Sequence, residues 1–221
     1  DALGRAEGNL FAPSTGDPKT VFLRNGRRQV SFLAGEVDVG FAAEAASVVQ
    51  TANWGPCLSL PSKDWGDELK KLDDRFHFDG SMITFSGLST AVESGSKEVT
   101  RLEEPHLEQI DIQGWDNAAE FARRSAGFGI VAEGKVLSYA ISNFDLSDSI
   151  EVAVWTSPDH LRKHFAYKSA SALMRFCRES DIAPQWTSWS GNTAACSLAR
   201  SLGSTREIAH DWAFVKPIIQ A

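Results

Sequence analysis

The chain has 221 residues and a net charge of −7. That length suffices for one large domain or two small ones, each able to bury a core. The acidic balance argues against a nucleic-acid surface, which is normally basic, and is compatible with a cationic or amine substrate. No apolar run approaches the length of a transmembrane helix, so no membrane span is expected. The three cysteines, Cys57, Cys177 and Cys196, show no CxxC or Cys/His spacing. They read as reduced thiols in a cytoplasmic protein without a metal site. The opening Asp, in place of Met, is expected of a processed or cut start, which leaves any targeting signal invisible.

Residues 1–19 are rich in Gly, Pro, Ser and Asp and read as a loop or an incomplete first element. Thr20–Leu23 and Gln29–Leu33 are β-like runs around Asn25-Gly26, a hairpin signal. A helix is expected over Asp38–Thr51, then a short strand over Pro56–Leu60. Ser62 is a suitable N-cap for a helix through Leu72, with Trp65, Leu69 and Leu72 on one side. Ser81–Phe85 is another strand candidate. Ser89–Glu104 is polar and charged, and Pro105 closes it. It reads either as a linker or as a long surface loop or short helix within one continuous domain. A linker would divide the chain into an N-terminal domain, 1–94, and a C-terminal domain, 105–221.

From His106 the pattern predicts a strand over Leu107–Ile112 and a helix over Gln113–Arg124. Two strands follow, Gly127–Glu133 and Lys135–Phe144, joined in a tight hairpin at Glu133-Gly134. A turn over Asp145–Asp148 leads into the densest pattern of the chain. Ile150–Thr156 is a β-rich run. The basic pair Arg162 and Lys163 precedes a helical spacing of Leu161, Phe165, Ser169, Ala172, Leu173, Phe176 and Cys177. Pro184–Trp189 is a second short strand. Asn192 then opens a helix with Ala195, Leu198, Ala199 and Leu202 on one face and Gly203 as its stop. Asp211–Lys216 is the last strand. An antiparallel run followed by alternation with helices predicts an α/β fold, a mixed sheet with helices on both faces. A basic turn at a helix start offers free N–H groups and a positive dipole end, which suits phosphate.

This arrangement resembles the GNAT N-acetyltransferase superfamily, in which a turn of the form Arg/Gln-x-x-Gly-x-Gly/Ala holds the pyrophosphate of acetyl-CoA. Here the turn is Leu161-Arg162-Lys163-His164-Phe165-Ala166. Ala166 fits, while Leu161 replaces the Arg/Gln and His164 replaces the Gly. Asn192 to Gly203 looks like the family's Asn-started helix ending in Gly-Phe, with Ser204 at the Phe position. The whole chain is most similar to a two-part subgroup, in which a diverged, smaller α/β N-terminal part precedes the acetyltransferase half.

The resemblance implies a GNAT-like mixed sheet and transfer of an acetyl or other acyl group from CoA to the amine of a small molecule. In the family two central strands splay apart, and the thioester arm pairs with the open backbone of the first. Here Val152, Ala153, Val154 and Trp155 would line the pantetheine. Arg162, Lys163, His164, Phe165, Ala166 and Tyr167 would border the pyrophosphate, with Asn192 and Ala195 beside the donor. Glu151 is the implied general base, because a carboxylate among apolar groups titrates nearer neutral pH. It reads otherwise as a solvated strand residue. The family's general-acid Tyr is replaced by Ala199, leaving Ser190, Cys196 or water as substitutes. Cys196 reads more simply as a buried structural thiol. Trp155, Trp186 and Trp189 lie on the two splayed strands, and one of them lines an acceptor cleft or all of them pack in the core. Two alternatives stay open. One is a non-catalytic GNAT-like binding module. The other takes the acyl group from phosphopantetheine on an acyl carrier protein.

Overall fold

A computed structural model describes residues 8–14, 16–25, 30–50, 57–72, 74, 76–89, 98–112, 115–143 and 148–215. Two compact units emerge, and each is discontinuous in sequence. The first comprises Asp1–Met82, Trp189–Gly191 and Ala209–Ala221, and the second Ile83–Ser188 and Asn192–Ile208.

In the first unit β1 (Gly8–Phe11), β2 (Thr20–Asn25) and β3 (Val30–Gly35) form an antiparallel run. The Asn-Gly hairpin is reflected in the β2–β3 pairing, although its turn, 26–29, lies outside the described residues. Helix α1 (Val39–Gln50) carries the chain to β4 (Cys57–Leu60), which lies parallel to β3. A crossover helix is what a parallel neighbour requires. Helix α2 (Lys63–Leu72) begins directly after Ser62 and buries Trp65 and Leu69, while Leu72 is exposed. These side chains pack with Phe22, Leu33, Phe41, Leu58 and Phe76 in a single apolar core. The Trp65 indole N–H donates to the Gly35 carbonyl at 3.2 Å, so its polar edge is satisfied within that core.

Strands β5 (Phe76–Ser86) and β11 (Arg206–Val215) are both longer than their sequence signals, extending N-terminally beyond Ser81 and Asp211. The second unit takes the last four residues of β5, from Ile83 on. Within the polar stretch read as a linker, residues 90–97 lie outside the described part and Val99–Arg101 forms β6 on the edge of a sheet.

The strand expected over Leu107–Ile112 is absent. A short helix, α3 (Glu104–Leu107), and turns through 110 occupy the region. Pro105 is favoured in a first helical turn, and a capping box between Glu103 and His106 fixes the start. The helix expected from Gln113 is shorter, α4 (Ala118–Arg124), with residues 113–114 outside the described part. The Asn117 side chain accepts from the Glu120 N–H at 2.9 Å, and that cap sets the helix start.

Strands β7 (Gly127–Ala132) and β8 (Lys135–Ser142) form the expected hairpin. Glu133 and Gly134 take φ values of 52° and 74°, the left-handed pair that a two-residue turn needs. Strand β9 (Ser149–Thr156) is antiparallel to β8. The 15-residue helix α5 (Phe165–Glu179) then leads to β10 (Ala183–Trp189), parallel to β9. Helix α6 (Thr193–Ser201) follows Asn192.

Apolar side chains cover both faces of this sheet. Ala140, Ile150, Val152, Leu173, Cys177, Trp186, Cys196, Ala199 and Leu202 pack on one face, with α5 and α6. Leu102, Leu107, Phe121, Tyr139 and Ile141 pack on the other, with α3 and α4. The mixed sheet flanked by helices is therefore the observed architecture.

Candidate functional site

Strand β9 alternates cleanly. Ile150 and Val152 are buried toward α5, and Val154 packs on the same side. Ala153 packs on the α3/α4 side, so Glu151 and Trp155 share that face by the two-residue period of a strand. Glu151 is half-buried, and its carbonyl accepts the Asn143 N–H at 2.6 Å. Pairing between β9 and β10 covers only Ser149 to Glu151, opposite Ala183 to Gln185. Beyond that point β9 continues to Thr156, with Val152–Thr156 in register with β8 alone among the described residues. The backbone beyond Glu151 thus leaves a gap in the sheet, with Glu151 at the last paired position before it.

After β9 a 3-10 turn, Pro158–His160, swings the chain toward α5. Arg162 and His164 both adopt left-handed backbone, with φ of 60° and 59°. Such conformations favour glycine, although His tolerates them better than most residues. His164 is the N-cap of α5 and makes no side-chain cap bond, and the first turn holds no acidic residue. The Lys168 N–H donates to the His164 carbonyl at 3.0 Å. The N–H groups of Phe165, Ala166 and Tyr167 precede the first helical hydrogen bond and point out of the helix end. Arg162, Lys163 and His164 are exposed, while Phe165, Ala166 and Tyr167 are half-buried. Lys168 is engaged by Glu98 and lies over the Phe165 ring. The His160 imidazole stacks on the other aromatic of this turn, Phe165, with centroids 6.1 Å apart. That contact was not legible in the sequence, because it depends on the fold-back of the 3-10 turn.

At the start of α6 the Asn192 side chain accepts from the Ala195 N–H at 3.1 Å, so the two groups satisfy each other. Ala199 is fully buried and offers no hydroxyl where the resemblance looks for a tyrosine. Cys196 is buried, and so is Cys177, whose thiol burial pushes up to about 12. The Cys177 thiol is therefore protonated and inert at neutral pH, and the burial of both cysteines is that of structural thiols. The Cys57 side chain lies outside the described part. Trp186 belongs to the core, whereas Trp155 and Trp189 are exposed by 44% and 46%. Trp155 stacks on Tyr139, opposite it on β8, at 5.7 Å and 26°. Burial, and secondarily the charge of Asp111, raises the Tyr139 phenol, which stays protonated at neutral pH. It stands level with Trp155, four strand residues or about 13 Å from Glu151, too far to share one proton with it.

A family model described as GNAT acetyltransferase matches residues 1–211. The chain belongs to the GNAT acetyltransferase family. The basic turn before α5 and the Asn-started helix α6 are the features of this chain that carried the family resemblance. Among solved structures, it is similar to a GCN5-related N-acetyltransferase-like protein from Streptococcus suis. The identity is 17%, over 96% of this chain and 90% of that one, with a TM-score of 0.75. A GCN5-related N-acetyltransferase from Kribbella flavida is 15% identical over 97% and 91%, with a TM-score of 0.63. A tandem GNAT protein from the clavulanic acid biosynthesis pathway is 10% identical over 97% and 85%, with a TM-score of 0.56. At these identities the likeness speaks for the GNAT fold. No curated protein matches the chain.

Proposed function

We propose that this protein transfers an acyl group from the thioester of CoA to the amine of a small molecule, at the gap between β9 and β10. The observation that carries the reading is the end of the β9–β10 ladder at Glu151 and Gln185, which leaves backbone open for an extended amide-bearing arm. The residues present fit such a donor. Three helix-start N–H groups, two exposed cations and a first turn without carboxylates make an anion site at α5. Arg162, Lys163 and the amides of His164 to Tyr167 would hold the diphosphate. The Val152–Trp155 backbone would orient the arm, with Asn192 and Ala195 bordering it from α6. The thioester, when bound, supplies the activated acyl group. Glu151 accepts the proton that the amine gives up, and the exposed Trp155 face offers a flat wall for a cationic acceptor.

One observation favours a second donor. His164 puts a side chain where the family turn has glycine, so this turn suits a diphosphate less well than the gap suits a pantetheine arm. Acyl-phosphopantetheine on a carrier protein would use the same gap without the turn. In either case the two-part organisation, a diverged N-terminal part before the acyltransferase half, is the arrangement we favour.

Melting curves with CoA and with pantetheine test the reading. A ligand at 100 times its dissociation constant stabilises by about 2.7 kcal/mol. A clear rise with CoA is the expected result. A rise with pantetheine alone would transfer the reading to a carrier-protein donor, and a rise with neither would leave a non-catalytic binding module. The same assay on His164→Gly separates two roles for the imidazole: tighter CoA binding marks crowding, and weaker binding marks donation to a phosphate.

A further inference from the structure

The second unit holds a cleft of about 450 Å³ between β6, β7 and the C-terminal half of α5. Val99, Arg101, Phe128, Arg175, Phe176 and Glu179 line it. Its centre lies about ten residues along α5 from the basic turn, roughly 15 Å away at the helical rise, so it is separate from the donor site. The volume falls within the range of small-molecule sites.

Its lining has two parts. The floor is aromatic: Phe128 and Phe176 pack at 6.0 Å and 49°, and the Arg101 guanidinium lies over the Phe176 ring at 5.6 Å. The rim is charged. Arg175 and Glu179 are one helical turn apart, yet neither has an ion-pair partner among the described residues, and Arg101 has only its ring contact. In an i,i+4 pair the reverse order, Glu before Arg, is the better one, which fits the absence of a bond between them. Two guanidiniums therefore face one cleft, and among the described residues no carboxylate is bound to either. A guanidinium is a planar fork matched to a carboxylate.

We infer that this cleft binds a small organic monocarboxylate with a flat apolar body. Arg101 and Arg175 take the carboxylate, and the phenylalanine floor takes the body. Glu179 lowers the net positive charge of the rim to one, which disfavours dianions such as phosphate at neutral pH.

Calorimetric titration of the full chain tests this, with phenylacetate as the probe and a non-reactive CoA analogue present to fill the donor site. Saturable binding of phenylacetate, at least tenfold tighter than that of acetate, is the expected result. Arg175→Gln and Arg101→Lys should each weaken it tenfold or more. The Lys variant keeps the charge and loses the planar fork together with its stacking on Phe176, and unchanged melting curves check that both variants stay folded. Glu179→Gln should admit inorganic phosphate, which the parent chain excludes. No saturable binding of phenylacetate would overturn the inference. So would equal binding of acetate, binding unaffected by either arginine change, or phosphate binding to the parent chain.

Discussion

Glu151 is half-buried at the last paired position before β9 leaves β10. If it is the base, Glu151→Gln keeps size and hydrogen bonding and removes proton acceptance. Turnover should fall about 100- to 10,000-fold. The acid limb of the pH–rate profile, where rate falls as the carboxylate becomes protonated, should disappear in the variant. Near-full turnover with the same acid limb would assign the proton to another group. Donor affinity should hardly change, because backbone rather than this side chain meets the arm. His164 makes a stability prediction independent of catalysis. Its φ of 59° is the left-handed region, where a non-glycine residue bears a strain of about 1–3 kcal/mol. Glycine removes that strain and adds about 0.5–1 kcal/mol of unfolded-state entropy cost. His164→Gly should therefore stabilise the fold by about 1 kcal/mol, a rise of about 2–4 °C in Tm for a chain of this size. A fall in Tm would mean that the imidazole makes a stabilising contact of its own.

Helix α6 is set by a single cap. The Asn192 side chain accepts from the Ala195 N–H, and the buried face of Cys196, Ala199 and Leu202 follows from that start. Asn192→Ala should cost about 1 kcal/mol, read as a lower denaturant midpoint at unchanged slope. Asn192→Ser should recover most of the loss, which a role confined to ligand contact would not predict. Element boundaries show where local signals compete. Asn192 and the Glu133-Gly134 turn were legible because one residue or dipeptide decides each. Leu107–Ile112 reads as a strand on its apolar residues Leu107, Ile110 and Ile112, whereas Pro105 and the Glu103/His106 capping box just before it start a helix. The helix expected from Gln113 likewise starts only at Ala118, where the cap Asn117 overrules the apolar periodicity around Trp115.

For the molecule as a whole, the buried thiols provide a probe of opening. Cys177 and Cys196 are sealed in the core of the second unit, and burial raises the Cys177 thiol from its usual value near 9.0 to about 12. At pH 8 a thiol reagent should label these two positions only as fast as the unit opens, and completely in denaturant. Rapid labelling at Cys177 in native conditions, located by peptide mass analysis, would mean that this core opens locally. A thiol whose folded value is raised stabilises the fold fully below its unfolded value. That contribution declines as pH rises from about 9 to about 12. The sequence by itself determined the mixed α/β class, most helices and strands, the cap at Asn192 and the basic turn before α5, because each rests on local periodicity or on one or two residues. Only the tertiary structure decided that β9 leaves β10 after three pairs, that Trp155 stacks on Tyr139, and that Arg101 and Arg175 face one cleft. Strand register, sheet order and the meeting of residues more than 70 positions apart depend on long-range packing, which no local pattern encodes.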